Sequence, residues 1–186
     1  MSFVQMLRAA TAVDHQRVDD RFGGFTLDDA DDYRRFLLAH GRALPAVEAV
    51  LAQAGDEEAL PSWRPRTALL AADLAALGQP LPVPLAFEAR GPARWGALYV
   101  IEGSRLGGQL LARAVPAGLP ASYLAARHAA GEWRALLAAL DVRAAAGGAE
   151  WAAAALAGAQ ATFALYGRAA DQDAMATRSL PSRLAE

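Results

Sequence analysis

Few side chains in this sequence can do chemistry, and two stretches gather most of them. The first surrounds His15, in Leu7-Arg8-Ala9-Ala10-Thr11-Ala12-Val13-Asp14-His15-Gln16-Arg17-Val18-Asp19. On a helix its ring falls on the apolar stripe, between Thr11 and Val18. A neutral imidazole in an apolar setting is the usual form of a haem-iron ligand. The same setting suits a core histidine hydrogen-bonded to a carbonyl or a side chain, and periodicity alone does not separate the two. The second stretch is Trp95 to Arg113, where Gly103, Gly107 and Gly108 lie among good helix formers. Each glycine costs about 1 kcal/mol against alanine inside a helix. Gly103 and Gly107 share a face that Gly96 and Val100 extend, which leaves a groove bare of side chains. Close helix packing through a small-residue stripe, or a bend at Gly107-Gly108, would use such a groove. So would a flat ligand lying on the backbone, with room above its centre for a diatomic molecule. A phosphate loop fits poorly, since neither the dinucleotide spacing nor a loop lysine is present.

Composition narrows the chemistry further. All 18 cationic side chains are arginine; there is no lysine, no cysteine, and only His15, His40 and His128 among histidines. These absences exclude a Schiff base, a disulfide framework, a Cys-ligated zinc or iron–sulfur site and a thiolate-bound haem. No Glu-x-x-His pair, His-Glu-x-x-His helix or Gly-x-Ser-x-Gly elbow occurs. Ser104 has no base nearby in sequence, the acidic run Asp28–Asp32 reads as a helix N-terminus, and Trp63, Trp95, Trp133 and Trp151 read as core or pocket wall. His40 and His128 carry no partner pattern and read as structural. A formal net charge of −2 argues against a nucleic-acid surface.

The elements that must position these residues are helices. The chain has 186 residues, 54% of them apolar, and 48 alanines with 26 leucines favour helix throughout. The pattern predicts a helix from Ser2 to Phe22, closed by Gly23-Gly24. A second starts near Asp28–Asp31, passes His40, bends at Pro45 and reaches Leu51. A loop over Gly55–Pro65 leads to a helix over Arg66–Leu77, then a proline-stiffened extended run, Gln79–Pro84. A long glycine-interrupted helix follows over Ala93–Ala114, a turn over Pro116–Pro120, and helices near Ala121–Ala129, Glu132–Leu140 and Ala149–Ala170. Residues 172–186 read as a flexible tail. The expectation is one all-α domain over 1–186, cytoplasmic, with no signal peptide. Trp151–Gly167 is uncharged but too short and too alanine-rich for a membrane span.

Together the two stretches resemble the bacterial haem oxygenases, and are most similar to the biliverdin-producing enzymes that accompany bacterial phytochromes. The family opens with Leu-Arg-x-Ala-Thr-x-x-x-His, matched by Leu7 to His15, and Val18-Asp19-Asp20-Arg21-Phe22 fits the end of that helix. Tyr33-Arg34-Arg35-Phe36-Leu37-Leu38-Ala39-His40 matches a Tyr-x-x-Phe-Leu-x-x-His segment. The most specific part is Leu-Tyr-Val-x-Glu-Gly-Ser-x-Leu-Gly-Gly, here Leu98 to Gly108, and Ala161-Thr162-Phe163 also fits.

The resemblance implies a helical bundle that holds haem between a proximal N-terminal helix and a kinked, glycine-rich distal helix. It implies His15 as the iron ligand, Arg8 beside a haem propionate, and Thr11, Tyr99, Gly103, Gly107 and Gly108 around the ring. Gly103, Ser104 and Gly107 are implied on the catalytic face, where exposed backbone leaves room for dioxygen. Haem would be cofactor and substrate, opened to biliverdin with release of carbon monoxide and ferrous iron. With no flavin or iron–sulfur motif in the chain, electrons would come from a ferredoxin or flavin-reductase type donor, and a phytochrome is a conceivable acceptor of the product. The sequence departs from mammalian-type members at Ser104, where they carry an aspartate, and offers only Arg113, Arg143 or Arg168 as further propionate partners. Two alternatives remain at this level: a haem storage or transfer protein of the same fold, and a helical interaction module without a ligand.

Overall fold

Ser2 starts the first helix with a reciprocal cap. Its hydroxyl accepts from the Gln5 N–H and the Gln5 side chain accepts from the Ser2 N–H. The computed structural model describes residues 1–53 and 59–178, residues 174–178 as backbone only. Part of the expected loop at Gly55–Pro65, and residues 179–186 of the expected tail, lie outside the described residues. The helices are α1 (Phe3–Ala10), α2 (Ala12–Phe22), α3 (Ala30–Ala52), α4 (Thr67–Ala76), α5 (Pro92–Leu111), α6 (Ser122–Ala125) and α7 (Glu132–Arg178). No strand occurs among the described residues.

The single helix expected over Ser2–Phe22 is two. Thr11 leaves helical geometry at φ −99° and ψ 1°, and its hydroxyl donates back to the Leu7 carbonyl at 2.9 Å. Such back-bonding offers the chain an alternative to continuing the helix. Asp29 caps α3 by accepting from the Asp31 and Asp32 N–H groups, and Pro45 sits inside α3 without ending it. The proline-rich run packs on α3 where Gly41 leaves space for the Pro82 ring, and the Leu85 N–H donates to the Arg42 carbonyl.

Two buried carboxylates set the remaining short elements. Glu48 of α3 accepts from the Arg66 and Thr67 N–H groups and the Thr67 hydroxyl, so it caps α4 from a neighbouring helix. Asp73 of α4 accepts from the Ser122 and Tyr123 N–H groups and does the same for α6. The helix expected over Ala121–Ala129 stops after one turn because Ala126 turns extended, at φ −61° and ψ 125°.

The last two expected helices are arms of α7, kinked at Gly148, whose φ of 68° and ψ of −161° only glycine adopts without strain. The backbone of α7 continues helical through residues 172–178 of the expected tail. Asp173 is buried there and anchors the arm by pairing with Arg35 at 2.9 Å and Arg42 at 3.8 Å.

The main packing contact joins α5 to α7. A Cβ on Gly96 would lie 1.8 Å from the Ala155 carbonyl oxygen, and one on Gly158 would lie 2.0 Å from that of Ala93. The two backbones therefore touch directly, through a glycine on each helix. Around the contact, Tyr33, Phe36, Leu37, Leu44, Leu98, Ile101, Leu140 and Leu165 form one core. Burial of each such side chain contributes on the order of 1.5–3 kcal/mol. The glycines further along α5 behave otherwise: none takes a positive φ, and α5 runs from Pro92 to Leu111 as one helix. A Cβ on Gly107 would meet nothing within 4 Å.

Alanine at these sites should therefore act in opposite directions. Gly96→Ala or Gly158→Ala forces the helices apart and should cost about 3 kcal/mol or more. Gly107→Ala should stabilise the ligand-free chain by up to about 1 kcal/mol. Urea unfolding of the three variants measures both effects.

Candidate functional site

Beneath α5 the helices enclose a cavity of about 620 Å³, within the range of roughly 300–1,000 Å³ common for small-molecule sites. Arg8 of α1, Thr11 between the two helices and His15 of α2 lie on its lining, as do Gly103, Ser104, Gly107 and Gly108 of α5. Tyr99, Phe163 and Trp133 contribute further walls, and His40, Arg66, Tyr123 and Tyr166 add polar groups. Arg8, Thr11, His15, Tyr99, Gly103, Ser104, Gly107 and Gly108 all line this one cavity, whereas Arg113, Arg143 and Arg168 do not, and Arg143 lies over the Trp95 ring.

Their local geometry differs from residue to residue. The His15 side chain is 61% exposed, so it stands at the cavity margin and is no core histidine. Its Nδ1 lies 3.0 Å from a carboxylate oxygen of Asp19, one helical turn on, and its ring meets Phe163 edge-on at 5.7 Å. With Nδ1 held by a carboxylate, Nε2 is the nitrogen left to ligate, an arrangement common to metal-binding histidines. The Thr11 hydroxyl is spent on the Leu7 carbonyl, so Thr11 shapes the helix break. Tyr99 stacks on Trp133 at 5.7 Å, and burial raises its pKa against the opposing pull of Arg8.

The three distal glycines have separate jobs. A Cβ on Gly103 would touch the Trp133 ring at 3.4 Å, and one on Gly107 would project into open space. A Cβ on Gly108 would come within 3.0 Å of the Leu124 carbonyl oxygen, so Gly108 admits α6. The Ser104 hydroxyl donates to the Ile101 carbonyl at 2.7 Å and accepts from Arg66 at 2.8 Å.

His40, read from the sequence as structural, lines the cavity. Its Nδ1 is 2.8 Å from the Tyr123 hydroxyl, and its ring lies 4.3 Å from Phe36 and 4.6 Å from Phe22. Burial, helped by the Arg66 charge, lowers its pKa from 6.5 to about 3, so the ring is neutral at physiological pH. Burial also pushes the Tyr166 phenol well above its ordinary value; its hydroxyl neighbours Tyr123 but makes no hydrogen bond of normal geometry. Sequence reasoning missed Asp19, Arg66, His40, Tyr123 and Tyr166 as site residues. Asp19 carried a local signal, its i,i+4 spacing from His15, and His40 closed a family-like segment to which no role was attached.

The donor set is suited to haem. Among the described residues no group of three or more histidine, aspartate or glutamate side chains converges to hold a bare metal ion. One free imidazole nitrogen supplies a single ligand, which fits an iron whose other positions a macrocycle fills. The open Cβ direction at Gly107 and the cation at Arg8 match a flat, carboxylate-bearing ring.

Comparison with known proteins leads to the same class. No family model matches the chain. It is 40% identical over 160 residues to a protein of Xanthomonas campestris pv. campestris (strain 8004) named "Heme oxygenase", covering 74% of this chain and 88% of that protein. Its fold superposes on the crystal structures of the NO- and CO-bound heme oxygenase from Neisseria meningitidis with a TM-score of 0.76. That likeness is at 25% identity and covers the whole of both chains. The relative and the shared helical fold together place the chain in a haem-degrading class. The chain belongs to the haem oxygenase family. Among the described residues no helix is long and apolar enough to cross a membrane.

The depressed pKa of His40 has a pH signature. Between about pH 3 and pH 6.5 the unfolded chain binds a proton at this position that the folded chain refuses. Stability from this group is thus fully present above pH 6.5 and falls as pH drops, by up to about 1.4 kcal/mol per unit. Denaturant unfolding on either side of pH 6.5 should show the slope, and His40→Gln should remove this share of it, leaving that of His128, whose pKa burial also lowers.

Proposed function

We propose that this chain cleaves haem oxidatively to biliverdin, carbon monoxide and ferrous iron, with His15 Nε2 as the protein ligand to the iron. The observation that carries the assignment is the pairing of His15, fixed through Nδ1 by Asp19, with the open backbone at Gly107 in one cavity. Haem supplies the redox chemistry and is itself consumed. Everything else the protein does is positioning. Asp19 selects the His15 tautomer and raises its basicity as a ligand. Arg8 neutralises a propionate at the margin, where a guanidinium can pair with both carboxylate oxygens. Tyr99 and Trp133, stacked together, and Phe163 close the apolar walls and exclude water. Gly103 and Gly107 leave a small space over the ring for dioxygen, and Gly108 supports it indirectly by seating α6.

The family depends on an external reductase, and this chain is read as one domain in the cytoplasm receiving electrons from a ferredoxin or flavin-reductase type donor. A phytochrome as acceptor of the biliverdin belongs to the same proposal.

Purified protein titrated with haemin and then given ascorbate under air should turn from a Soret spectrum to that of a bilin. Stoichiometric haem binding without any bilin would reduce the chain to a haem carrier. His15→Ala should lose the native Soret spectrum and turn over at least about a hundredfold more slowly, a loss of roughly 2.7 kcal/mol or more in barrier terms. An unchanged spectrum would place the ligand elsewhere.

A further inference from the structure

Arg66 is a buried cation that the assignment above leaves without a role. It is the N-cap residue of α4, and its backbone N–H is held by Glu48 at 2.6 Å. Its side chain, with the residue only 3% exposed, reaches α5, where Nη2 donates to the Ile101 carbonyl at 2.6 Å and to the Ser104 hydroxyl at 2.8 Å. The guanidinium carbon lies 5.2 Å over the Tyr123 ring. Its Nε is buried with no hydrogen-bond partner among the described residues, and Arg66 lines the cavity. A buried charge with an unsatisfied donor is costly unless something on the cavity side offsets it.

Glu48 opposes the Arg66 field at Tyr123 and Tyr166 without outweighing it, and at His40 Arg66 is the charge that acts. The Glu48 carboxylate is engaged by the start of α4. His40, Tyr123 and Tyr166 are neutral, and the Arg66 charge reaches each of them. The other charged groups on the lining are Arg8 and Asp19, the latter paired with His15. The Ser104 hydroxyl proton is already committed to the Ile101 carbonyl. Ser104 can therefore accept from a cavity water but does not donate to one, and Arg66 holds it so.

We propose that Arg66 is a positioning residue for the reaction: it fixes Ser104 as an acceptor on α5 and supplies the positive field that favours negative charge in the cavity facing His15. An arginine anchored from α4 in this way would favour an anionic ligand in the cavity over a neutral one. This inference rests on haem occupying the cavity.

The test uses the full chain loaded with haemin and two substitutions, Arg66→Gln, which keeps a donor but no charge, and Arg66→Lys, which keeps the charge. Azide affinity of the ferric complex reads the field, and carbon monoxide affinity of the ferrous complex is the neutral control. Arg66→Gln should weaken azide about tenfold, about 1.4 kcal/mol of binding, through loss of one charge from the lining, and leave carbon monoxide unchanged. Arg66→Lys should recover most of the azide affinity. The proposal fails if azide binding is unaltered in Arg66→Gln, if azide and carbon monoxide weaken together, or if Arg66→Lys is no better than Arg66→Gln. Should Arg66→Gln not fold, Arg66→Lys and Arg66→Met decide it: the first must hold azide near the wild-type affinity and the second, which carries no charge, must weaken it. Absence of haem binding by the wild-type chain would instead count against the site assignment, a distinguishable failure.

Discussion

The contact on which the architecture depends is the one between the α5 and α7 backbones, made possible by Gly96 and Gly158. Each glycine admits a carbonyl of the other helix at a distance no side chain would allow. Dense interiors do not yield by fractions of an ångström without cost, so this contact fixes the separation of the two helices. The cavity lies beside it, with Gly103 and Gly107 one and two further turns along from Val100 on α5 and with Phe163 and Tyr166 further along α7. The same residue type serves opposite ends on one helix: at Gly96 it removes space, and at Gly107 it preserves it.

How much of this could be read from the sequence follows from how local each signal was. Of the two readings of the glycine stripe, close helix packing holds at Gly96, while Gly107 keeps the open space that a flat ligand would need. The stripe period put them on one face but could not say what each faced, because that depends on α6 and α7. His15 was legible as a ligand candidate through its motif, although its place at the cavity margin was not. The break at Thr11 was hidden because Thr11 also fits the apolar stripe, and a hydroxyl bonded back to Leu7 leaves no mark in periodicity. The burial of Asp173 was not legible either, because the residue looks like a solvated charge until Arg35 and Arg42 of α3 arrive beside it.

The polar groups of the cavity were the least legible part. Arg66 stands 38 residues from Ser104 and His40 stands 83 from Tyr123. No spacing rule joins such partners; the fold brings them together through buried caps, Glu48 for α4 and Asp73 for α6. These two carboxylates also explain why short or irregular elements can hold side chains firmly. Each fixes a helix start from a neighbouring element, so Arg66 and Tyr123 are placed by long-range hydrogen bonds to their own backbones. Composition first suggested little chemistry, yet a protein whose cofactor is also its substrate needs chiefly one imidazole, bare backbone and well-placed charge.

The kink at Gly148 has a geometric consequence for the cavity. Trp133 and Leu137 line it from the arm of α7 before the kink, and Phe163 and Tyr166 from the arm after it. Two of its walls are therefore consecutive helical arms joined at Gly148, related by a single pair of backbone torsions. The angle between those walls, and with it the shape offered to a planar ligand, is written in one residue that contributes no atom to the lining.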